Sequence, residues 1–294
     1  MAQSEPSPRW TIESILRWAT DDFRSRGLES PRLDAEVLLA HALATSRIQL
    51  VIDGKRPLVG DELSAFRDLV RRRRSREPVA YLLGKREFYG RTFLVDRRVL
   101  IPRPDTETLV TVALERTRRR SLSMRALDLC TGSGCVAITL GRERPTSHVL
   151  GLDQSADALA VARTNALRLG AYQVGFVQGD LFAPVDPRCR FDVITANPPY
   201  IASSELHELA PDIRNFEPRL ALDGGADGLE LLTRIVAHAG AFLAEEGALA
   251  VEVAAGQAER VLALFDAHGY VDVSVARDYG RIERVVSGVL MPAR

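Results

Sequence analysis

The chain has 294 residues, of which 46% are hydrophobic and 27% are charged, and this composition is typical of a soluble globular enzyme with one or two domains. No apolar run reaches the roughly 18 residues that span a bilayer. The N-terminus also lacks the pattern of a secretory signal, so we expect a cytoplasmic protein with no membrane partner. The three cysteines have neither metal-ligand nor disulfide spacing, and we expect no metal.

The charges are unevenly distributed, although their sum is zero. Residues 1–120 carry 24 Lys and Arg against 17 Asp and Glu, whereas residues 121–294 carry 15 against 22. A basic first half is compatible with a negatively charged partner such as RNA or an RNA-bound protein. For the densest run, Arg71–Arg74, a solvated helix face is the slightly favoured interpretation, because the run lacks the interleaved aromatic residues of a single-strand binding surface.

The first part of the chain is predicted to form a bundle of short helices, a domain of residues 1–84. Apolar residues recur there at helical spacing, and Ser30 followed by Pro31 is typical of a helix start. The helices are predicted over Trp10–Arg26, Leu33–Ala44 and Asp61–Arg76. A β-hairpin over Tyr81–Val95 then predicts a linker of residues 85–104.

The remainder, residues 105–294, is predicted to be an α/β domain. Its first helix follows the polar loop Ile101–Glu107 and is expected to run to about Arg119, with Asp105 or Thr106 as its cap. From there on, strands and helices alternate, which indicates a parallel sheet with helices on both faces. Predicted strands are Ala126–Cys130, Val149–Asp153, Gly175–Gln178, Asp192–Ala196, Ala248–Val253 and an antiparallel pair, Val271–Ala276 and Arg284–Val289. Predicted helices are Val136–Arg142, Ser155–Leu169, Leu229–Ala244 and Gln257–His268.

The segment Asn197–Tyr200, with the sequence Asn-Pro-Pro-Tyr, follows the fourth predicted strand. Each proline fixes its backbone and removes an N–H group, so carbonyl acceptors dominate beside an amide side chain and a flat ring. This combination suits the binding of a planar –NH2 group while its nitrogen is attacked. A Pro-rich loop that only ends a strand has the same pattern.

Three successive strand ends carry groups that suit a nucleoside. The Gly-rich turn at Cys130–Gly134 allows close backbone approach, but Ile138 stands near the place of the third glycine of a dinucleotide fingerprint. Asp153 ends the second strand and can accept hydrogen bonds from ribose hydroxyls. Asp180, followed by Leu181, can receive the exocyclic amine of adenine. Because no phosphate-binding device accompanies them, S-adenosylmethionine fits best.

At these motifs the chain resembles class I S-adenosylmethionine-dependent methyltransferases, and more narrowly the bacterial release factor glutamine methyltransferases. The loop Ile101–Glu107 is a specific match, because the related ribosomal-protein glutamine methyltransferases differ there. Pro31–Glu36, Glu77–Gly84 and Glu217–Leu222 agree as well. One departure lies in Asp278–Arg284, whose glycine stands one place earlier than in the family and leaves the shape of that turn open.

The resemblance implies a doubly wound, mixed seven-stranded sheet, a helical substrate-recognition domain and a methyltransferase domain. It implies methylation of the side-chain nitrogen of the glutamine in the Gly-Gly-Gln loop of peptide chain release factors 1 and 2, which modulates translation termination. S-adenosylmethionine would be converted to S-adenosylhomocysteine, without a metal or a direct nucleic-acid substrate. Carried over by position, the cofactor-binding residues are Cys130, Thr131, Gly132, Ser133, Gly134, Asp153, Asp180, Leu181 and Asn197. The substrate-binding residues are Arg103, Asn197, Pro198, Pro199 and Tyr200, of which Asn197, Pro198 and Tyr200 are expected to be catalytic.

Two other activities are compatible with Asn197–Tyr200. A DNA N6-adenine methyltransferase would use the same Asn-Pro-Pro-Tyr segment. However, residues 121–294, which contain that segment, are acidic overall, and no extra segment for DNA recognition interrupts them. A methyltransferase for the glutamine of a ribosomal protein is the other alternative. A non-catalytic cofactor-binding scaffold on the ribosome is disfavoured, because both Asn197 and Tyr200 are present.

Overall fold

The computed structural model describes residues 10–120 and 123–290. The chain divides into two compact units, Met1–Gly84 and Lys85–Arg294, here called unit 1 and unit 2. No helix within the described ranges is both long enough and apolar enough to cross a bilayer.

The described part of unit 1 is helical, as predicted. Its first helix begins with a capping box, in which the Ser14 N–H donates to Thr11 Oγ1 at 3.2 Å and the Thr11 N–H donates to Ser14 Oγ at 2.9 Å. Pro31 opens the second helix, although the Ser30 side chain makes no capping hydrogen bond. Phe23 and Phe66 are fully buried in the core. The helices are α1 (Ile12–Ser25), α2 (Pro31–Ala42), α3 (Arg47–Ile52), α4 (Gly60–Arg74) and α5 (Val79–Leu83).

The run of arginines at the end of α4 forms ion pairs inside unit 1. Arg73 is buried, and its Nε donates to Asp34 Oδ2 at 2.8 Å. Arg74 pairs with Asp22 at 2.7 Å and lies over the Trp18 ring. The run therefore holds helices together, and these two side chains are not available to a nucleic acid.

Unit 2 contains a small hairpin and a mixed seven-stranded sheet, which confirms the predicted fold class. The hairpin strands are β1 (Lys85–Phe88) and β2 (Arg91–Leu94). The sheet strands are β3 (Arg125–Leu129), β4 (His148–Asp153), β5 (Val174–Gln178), β6 (Phe191–Ala196), β7 (Leu243–Glu252), β8 (Tyr270–Arg277) and β9 (Glu283–Leu290). Their order is β5-β4-β3-β6-β7-β9-β8, in which β3 to β7 are parallel and β9 is antiparallel to both β7 and β8.

The helices of the described part of unit 2 are α6 (Glu107–Arg116), α7 (Cys135–Glu143), α8 (Ala156–Arg168), α9 (Pro211–Arg214), α10 (Glu230–Ala239) and α11 (Ala258–Ala267). Most of them cover the sheet in two apolar clusters. Buried side chains of α6, α7 and α8 form one cluster, which includes Phe88 and Phe93 of the hairpin, so the segment predicted as a linker packs within unit 2. Those of α10 and α11 form the other, with Leu232 and Phe265 among its members.

Two predicted helices end three or more residues earlier in the structure. The helix predicted to reach Ala244 ends at Ala239, because Leu243 already pairs with Phe191 at the start of β7. A register shift separates this pair from the rest of the β6–β7 ladder, and helical periodicity alone does not reveal it. The helix predicted to reach about Arg119 ends at Arg116, and the Thr117 hydroxyl donates to the Ala113 carbonyl at 2.7 Å.

Candidate active site

A cavity lies at the carboxyl ends of β3, β4 and β6, where the strand order reverses between β3 and β6. Ligands of open α/β sheets bind at this place. Most of the predicted site residues line the cavity: Arg103, Cys130, Thr131, Gly132, Ser133, Asp153, Asp180, Leu181, Asn197 and Pro199. Three predicted site residues, Gly134, Pro198 and Tyr200, do not line it.

The two glycines after β3, Gly132 and Gly134, have different structural roles. Gly132 has φ +54° and its N–H donates to Asp153 Oδ2 at 2.9 Å, at the cavity wall. Gly134 begins α7 with φ +79°, and a Cβ there would lie 2.8 Å from Ile138 and 3.1 Å from Ala162. Gly134 therefore permits close packing of helices behind the loop, and we expect its effect on a ligand to be indirect.

Asp153, at the end of β4, is held by the backbone on both sides. Gly132 donates to one carboxylate oxygen and Ser155 N–H donates to the other, each at 2.9 Å. A carboxylate has about four acceptor sites, so two remain for a ligand. Burial raises the pKa of Asp153, and the backbone hydrogen bonds oppose that rise. This geometry fits a pair of ribose hydroxyls.

Asp128, inside β3, links three segments beneath the loop. Its carboxylate accepts hydrogen bonds from the hydroxyls of Thr131 at 2.6 Å and Thr195 at 2.7 Å. Burial raises its pKa to about 6, against the effect of these hydrogen bonds. Asp128 lines the cavity but was not among the predicted site residues, because a single acid in a strand carries no distinguishing signal.

The cavity wall around Leu181 has strained backbone and an ion pair. Cys130 (φ +56°) and Leu181 (φ +47°) both adopt left-handed conformations at their turns. Such conformations cost a non-glycine residue about 1–2 kcal/mol and cluster at functional sites. Asp180 pairs with Arg234 at 2.6 Å, and its side chain is 54% exposed. An adenine amine would therefore meet a carboxylate that already has a cationic partner.

Asn197 is half-buried, and its side-chain amide is oriented by Thr106. Asn197 Nδ2 donates to Thr106 Oγ1 at 3.2 Å, which leaves Asn197 Oδ1 as the remaining acceptor. Thr106 was predicted as a possible helix cap, but its side chain makes no capping hydrogen bond in the structure. The buried Pro198 carbonyl accepts no hydrogen bond from any of the described residues.

The backbone of Asn197–Tyr200, here called the platform, is supported by a glycine-rich segment that follows it in the chain. A Cβ on Gly224 would lie 2.7 Å from the Pro199 carbonyl oxygen, and one on Gly228 would lie 2.4 Å from the Tyr200 carbonyl oxygen. Gln257 Nε2 donates to the Tyr200 carbonyl oxygen at 3.0 Å. Because Gly224 and Gly228 have no side chains, their segment can pack this closely against the backbone of Pro199 and Tyr200.

Tyr200 does not line the cavity and contacts Glu252 instead. Its hydroxyl donates to Glu252 Oε1 at 3.5 Å, and burial raises the pKa of the phenol. Glu252 ends β7 and is 1% exposed. Sequence reasoning missed Glu252, because it appeared only as a residue within a predicted strand.

The loop at Ile101–Glu107 is held by Glu217, which sequence reasoning included only as part of a matching motif. The buried Glu217 carboxylate accepts hydrogen bonds from the Ile101 N–H at 3.2 Å and from the Arg103 guanidinium. Pro218 and Leu220, which follow it, line the cavity with Pro102. Glu217–Leu222 matched the family pattern, but the sequence did not indicate that this segment lines the cavity.

Metal binding has no evident place in the part of the chain that is described. Within residues 10–120 and 123–290, no group of three or more His, Cys, Asp or Glu side chains is arranged to hold a metal ion. Cys130 and Cys135 lie in the cavity wall, and burial raises the pKa of both thiols. Neither cysteine is therefore activated as a nucleophile.

Both units match protein-family models. Residues 14–84 match the model described as PrmC N-terminal domain, and residues 105–213 match the model described as Methyltransferase small domain. The chain is 44% identical to the release factor glutamine methyltransferase of Geobacter sulfurreducens over 95% of this chain and 96% of that protein. It is 42% identical to the protein of the same name from Burkholderia pseudomallei, over 99% of both. A methyltransferase structure from Pyrococcus furiosus is 18% identical with a TM-score of 0.50, over 70% of this chain and 91% of that chain, which shows a shared fold.

Proposed function

The chain belongs to the family of release factor glutamine methyltransferases, and we propose that its substrate is the glutamine in the Gly-Gly-Gln loop of peptide chain release factors 1 and 2. The enzyme transfers a methyl group from S-adenosylmethionine to the side-chain amide nitrogen of that glutamine and leaves S-adenosylhomocysteine. Its place of action is then the cytoplasm, where translation terminates. The observation that carries the proposal is the orientation of Asn197, whose NH2 group is engaged by Thr106 and whose oxygen is left as an acceptor beside the cavity.

The cavity residues fit the cofactor. Asp153 has two acceptor sites left for ribose hydroxyls, and Leu152, Ala158 and Leu181 offer apolar surface for a purine ring. The turn at Cys130–Gly134 contains no lysine or arginine that would pair with a phosphate. When bound, S-adenosylmethionine supplies an electrophilic methyl group on a positively charged sulfur. No metal is required for that chemistry.

Asn197 and Pro198 overcome the weak nucleophilicity of an amide nitrogen, whose lone pair is shared with the adjacent carbonyl. In this mechanism Asn197 Oδ1 accepts one N–H of the substrate amide. The Pro198 carbonyl, which lies outside the cavity lining but accepts no hydrogen bond from the described residues, accepts the other. The two hydrogen bonds hold the nitrogen with its lone pair directed at the methyl group, and Pro199 keeps the turn rigid. After transfer the nitrogen is strongly acidic and loses its proton to water or to a neighbouring acceptor, so no dedicated base is needed.

Tyr200 supports the platform from behind. Sequence reasoning expected its ring to pack against the substrate amide, whereas its hydroxyl contacts Glu252 and the residue does not line the cavity. We therefore assign Tyr200 to holding the turn. Arg103 lines the cavity, pairs with Glu217 and has 31% of its side chain exposed. It is suited to contact the substrate loop.

Unit 1 is proposed to recognise the body of the release factor. Support comes from its match to the PrmC N-terminal domain and from the apolar side chains that α3 exposes to solvent. Ile48 and Val51 are each 75% exposed and Ile52 is 69% exposed. Neighbouring exposed apolar residues of this kind mark a contact surface for another protein.

The test is methyl transfer from labelled S-adenosylmethionine to release factors, duplex DNA and ribosomal proteins in parallel. We expect label on the glutamine of the Gly-Gly-Gln loop and on neither of the other substrates. Asn197→Ala should lower the rate by about 100-fold or more, because one preorganised polar contact to the reacting group is lost. Cofactor binding, measured by calorimetry, is the control for folding. Near-normal turnover in Asn197→Ala would refute the mechanism, and label on DNA or ribosomal proteins alone would refute the assigned substrate.

A further inference from the structure

The turn between β8 and β9 carries exposed side chains that the proposed mechanism does not use. Tyr279 is 92% exposed and Ile282 is 42% exposed. Arg281 is exposed as well, and its side chain forms no hydrogen bond or ion pair with any described residue. An exposed aromatic ring beside an aliphatic side chain and an unpaired guanidinium is the composition of a protein contact surface.

The turn lies at the same edge of the sheet as the platform. Ala196 pairs with Val251, and Val251 pairs with Val286, so β6, β7 and β9 stand side by side at this level. Because β9 is antiparallel to β7, its first residue, Glu283, lies at the carboxyl end of β7. Neighbouring strands are about 4.8 Å apart, so the turn begins roughly 10 Å to the side of the platform.

Side-chain contacts connect the turn to the loop that lines the cavity. Arg284 Nε donates to Asp278 Oδ2 at 2.8 Å, and Arg284 Nη2 lies 3.2 Å from Asp105 Oδ2. Arg103 and Thr106, on either side of Asp105 in the loop, both line the cavity. The side chains of Asp278 and Arg284 are only 3% and 16% exposed, so this connection is largely shielded from water. The turn is therefore held in a fixed place beside the cavity wall.

The turn is well ordered, and its backbone is strained at Arg281. The Ile282 N–H donates to Asp278 Oδ1 at 3.0 Å, and the Arg281 N–H donates to the Asp278 carbonyl at 2.9 Å. Arg281 has φ +64°, a conformation that is costly for any residue with a side chain, although Gly280 is its neighbour. Strain of this kind, kept in an exposed turn, indicates that the side chain has a use. Because the turn is already ordered, its side chains lose little freedom when they bind.

We propose that the turn Tyr279–Ile282 binds the segment of the release factor that flanks the target glutamine. The proposal rests on the proposed function, in which the glutamine binds at Asn197. An extended chain spans at most about 3.3–3.6 Å per residue, so a residue roughly three to six positions from the glutamine reaches the turn. The Tyr279 ring and Ile282 pack against an apolar side chain of that segment, and the Arg281 guanidinium donates hydrogen bonds to its carbonyl groups.

The experiment measures kcat and KM for three substrates: intact release factor, a long peptide with about eight residues on each side of the glutamine, and a short peptide with about two, which cannot reach the turn. Where a peptide is methylated too slowly for a KM, its inhibition constant against intact release factor takes its place. Tyr279→Ala should raise KM about tenfold for release factor and for the long peptide, because a buried aromatic contact is lost. For the short peptide KM should stay within about twofold, and kcat should be unchanged throughout.

Tyr172→Ala is the matched control. Tyr172 is 79% exposed and precedes β5, so it lies at the opposite edge of the sheet, and its loss should leave every KM unchanged. The dissociation constant of S-adenosylmethionine, measured by calorimetry, should stay within about twofold in all variants.

Arg281→Gly separates a lost contact from a damaged fold. Glycine relieves the strained backbone, so this variant should be more stable than the unsubstituted enzyme. Its KM for release factor and for the long peptide should nevertheless rise about fivefold, the equivalent of one hydrogen bond. A damaged fold would instead lower the stability together with the affinity.

The two hypotheses fail in different ways. If the unsubstituted enzyme does not methylate release factor, the proposed function is wrong. If it does, but Tyr279→Ala leaves KM for the long peptide unchanged or raises KM for the short peptide equally, the turn does not bind the flanking segment and the inference is wrong. A rise confined to intact release factor would place the contact elsewhere on that protein and would also overturn it. An unchanged KM in Arg281→Gly would refute the role of Arg281.

Discussion

Replacement of Glu217 by alanine tests how the loop above the cavity is held in place. The Glu217 side chain is 1% exposed and accepts two hydrogen bonds, from the Ile101 N–H and from Arg103. Loss of the carboxylate leaves the N–H of the buried Ile101 without a partner, which costs about 1–3 kcal/mol. The lost pairing with the partly exposed Arg103 adds about 1 kcal/mol after screening by solvent. The free energy of unfolding should therefore fall by roughly 3 kcal/mol.

For a domain of this size, a loss of about 3 kcal/mol lowers the melting temperature by roughly 6–12 °C. Glu217→Gln is the matched control, because its amide oxygen still accepts from Ile101, and it should lose only about 1 kcal/mol. Hydrogen exchange on the full chain locates the effect: the Ile101 amide should lose protection in Glu217→Ala and largely keep it in Glu217→Gln. Equal destabilisation in the two variants, or unchanged protection of Ile101 in Glu217→Ala, would refute the assignment of the cost to that N–H group.

Two further predictions concern unit 1 and the final turn. The KM for intact release factor should be at least about tenfold lower than for a short Gly-Gly-Gln peptide, and Val51→Asp should raise only the former; equal KM values would exclude recognition by unit 1. Arg281 occupies a left-handed position, φ +64°, between Gly280 and Ile282. Arg281→Gly should raise the free energy of unfolding by roughly 0.5–1 kcal/mol in denaturant titrations, since strain relief exceeds the added backbone entropy; a loss of stability would contradict this.

The departure from the family pattern at this turn has a local explanation. The glycine stands at position 280, whereas the left-handed residue is Arg281. The turn nevertheless closes, because Asp278 accepts hydrogen bonds from the Ile282 N–H at 3.0 Å and from Arg284 at 2.8 Å. Its shape is thus maintained by a side chain in place of glycine, which sequence comparison had left open.

Strand periodicity predicted the sheet, and most of the site residues predicted from strand ends and family resemblance line the cavity. These predictions succeeded because the carboxyl ends of parallel strands meet at one edge, so that Asp153 and Asn197 lie together whatever the intervening loops do. Contacts that join segments far apart in the chain were not predictable. Thr106 and Asn197 meet across 91 positions, and nothing in either local sequence specifies the pair. Glu252 was missed for the same reason, since an acid at the end of a buried strand has no partner visible in its own neighbourhood.

The insertion of β9 between β7 and β8 has a consequence for synthesis of the chain. Strand β7 gains its second neighbour only from residues 283–290, which are synthesised after the other six strands of the described sheet. Until then, the hydrogen-bonding edge of β7 is open to unwanted pairing with other chains. Arg284 arrives with the same strand and brings the positive charge that faces Glu252. The same strand therefore covers the edge of β7 and brings the charge of Arg284 next to Glu252. A nascent chain that stops before residue 283 lacks both.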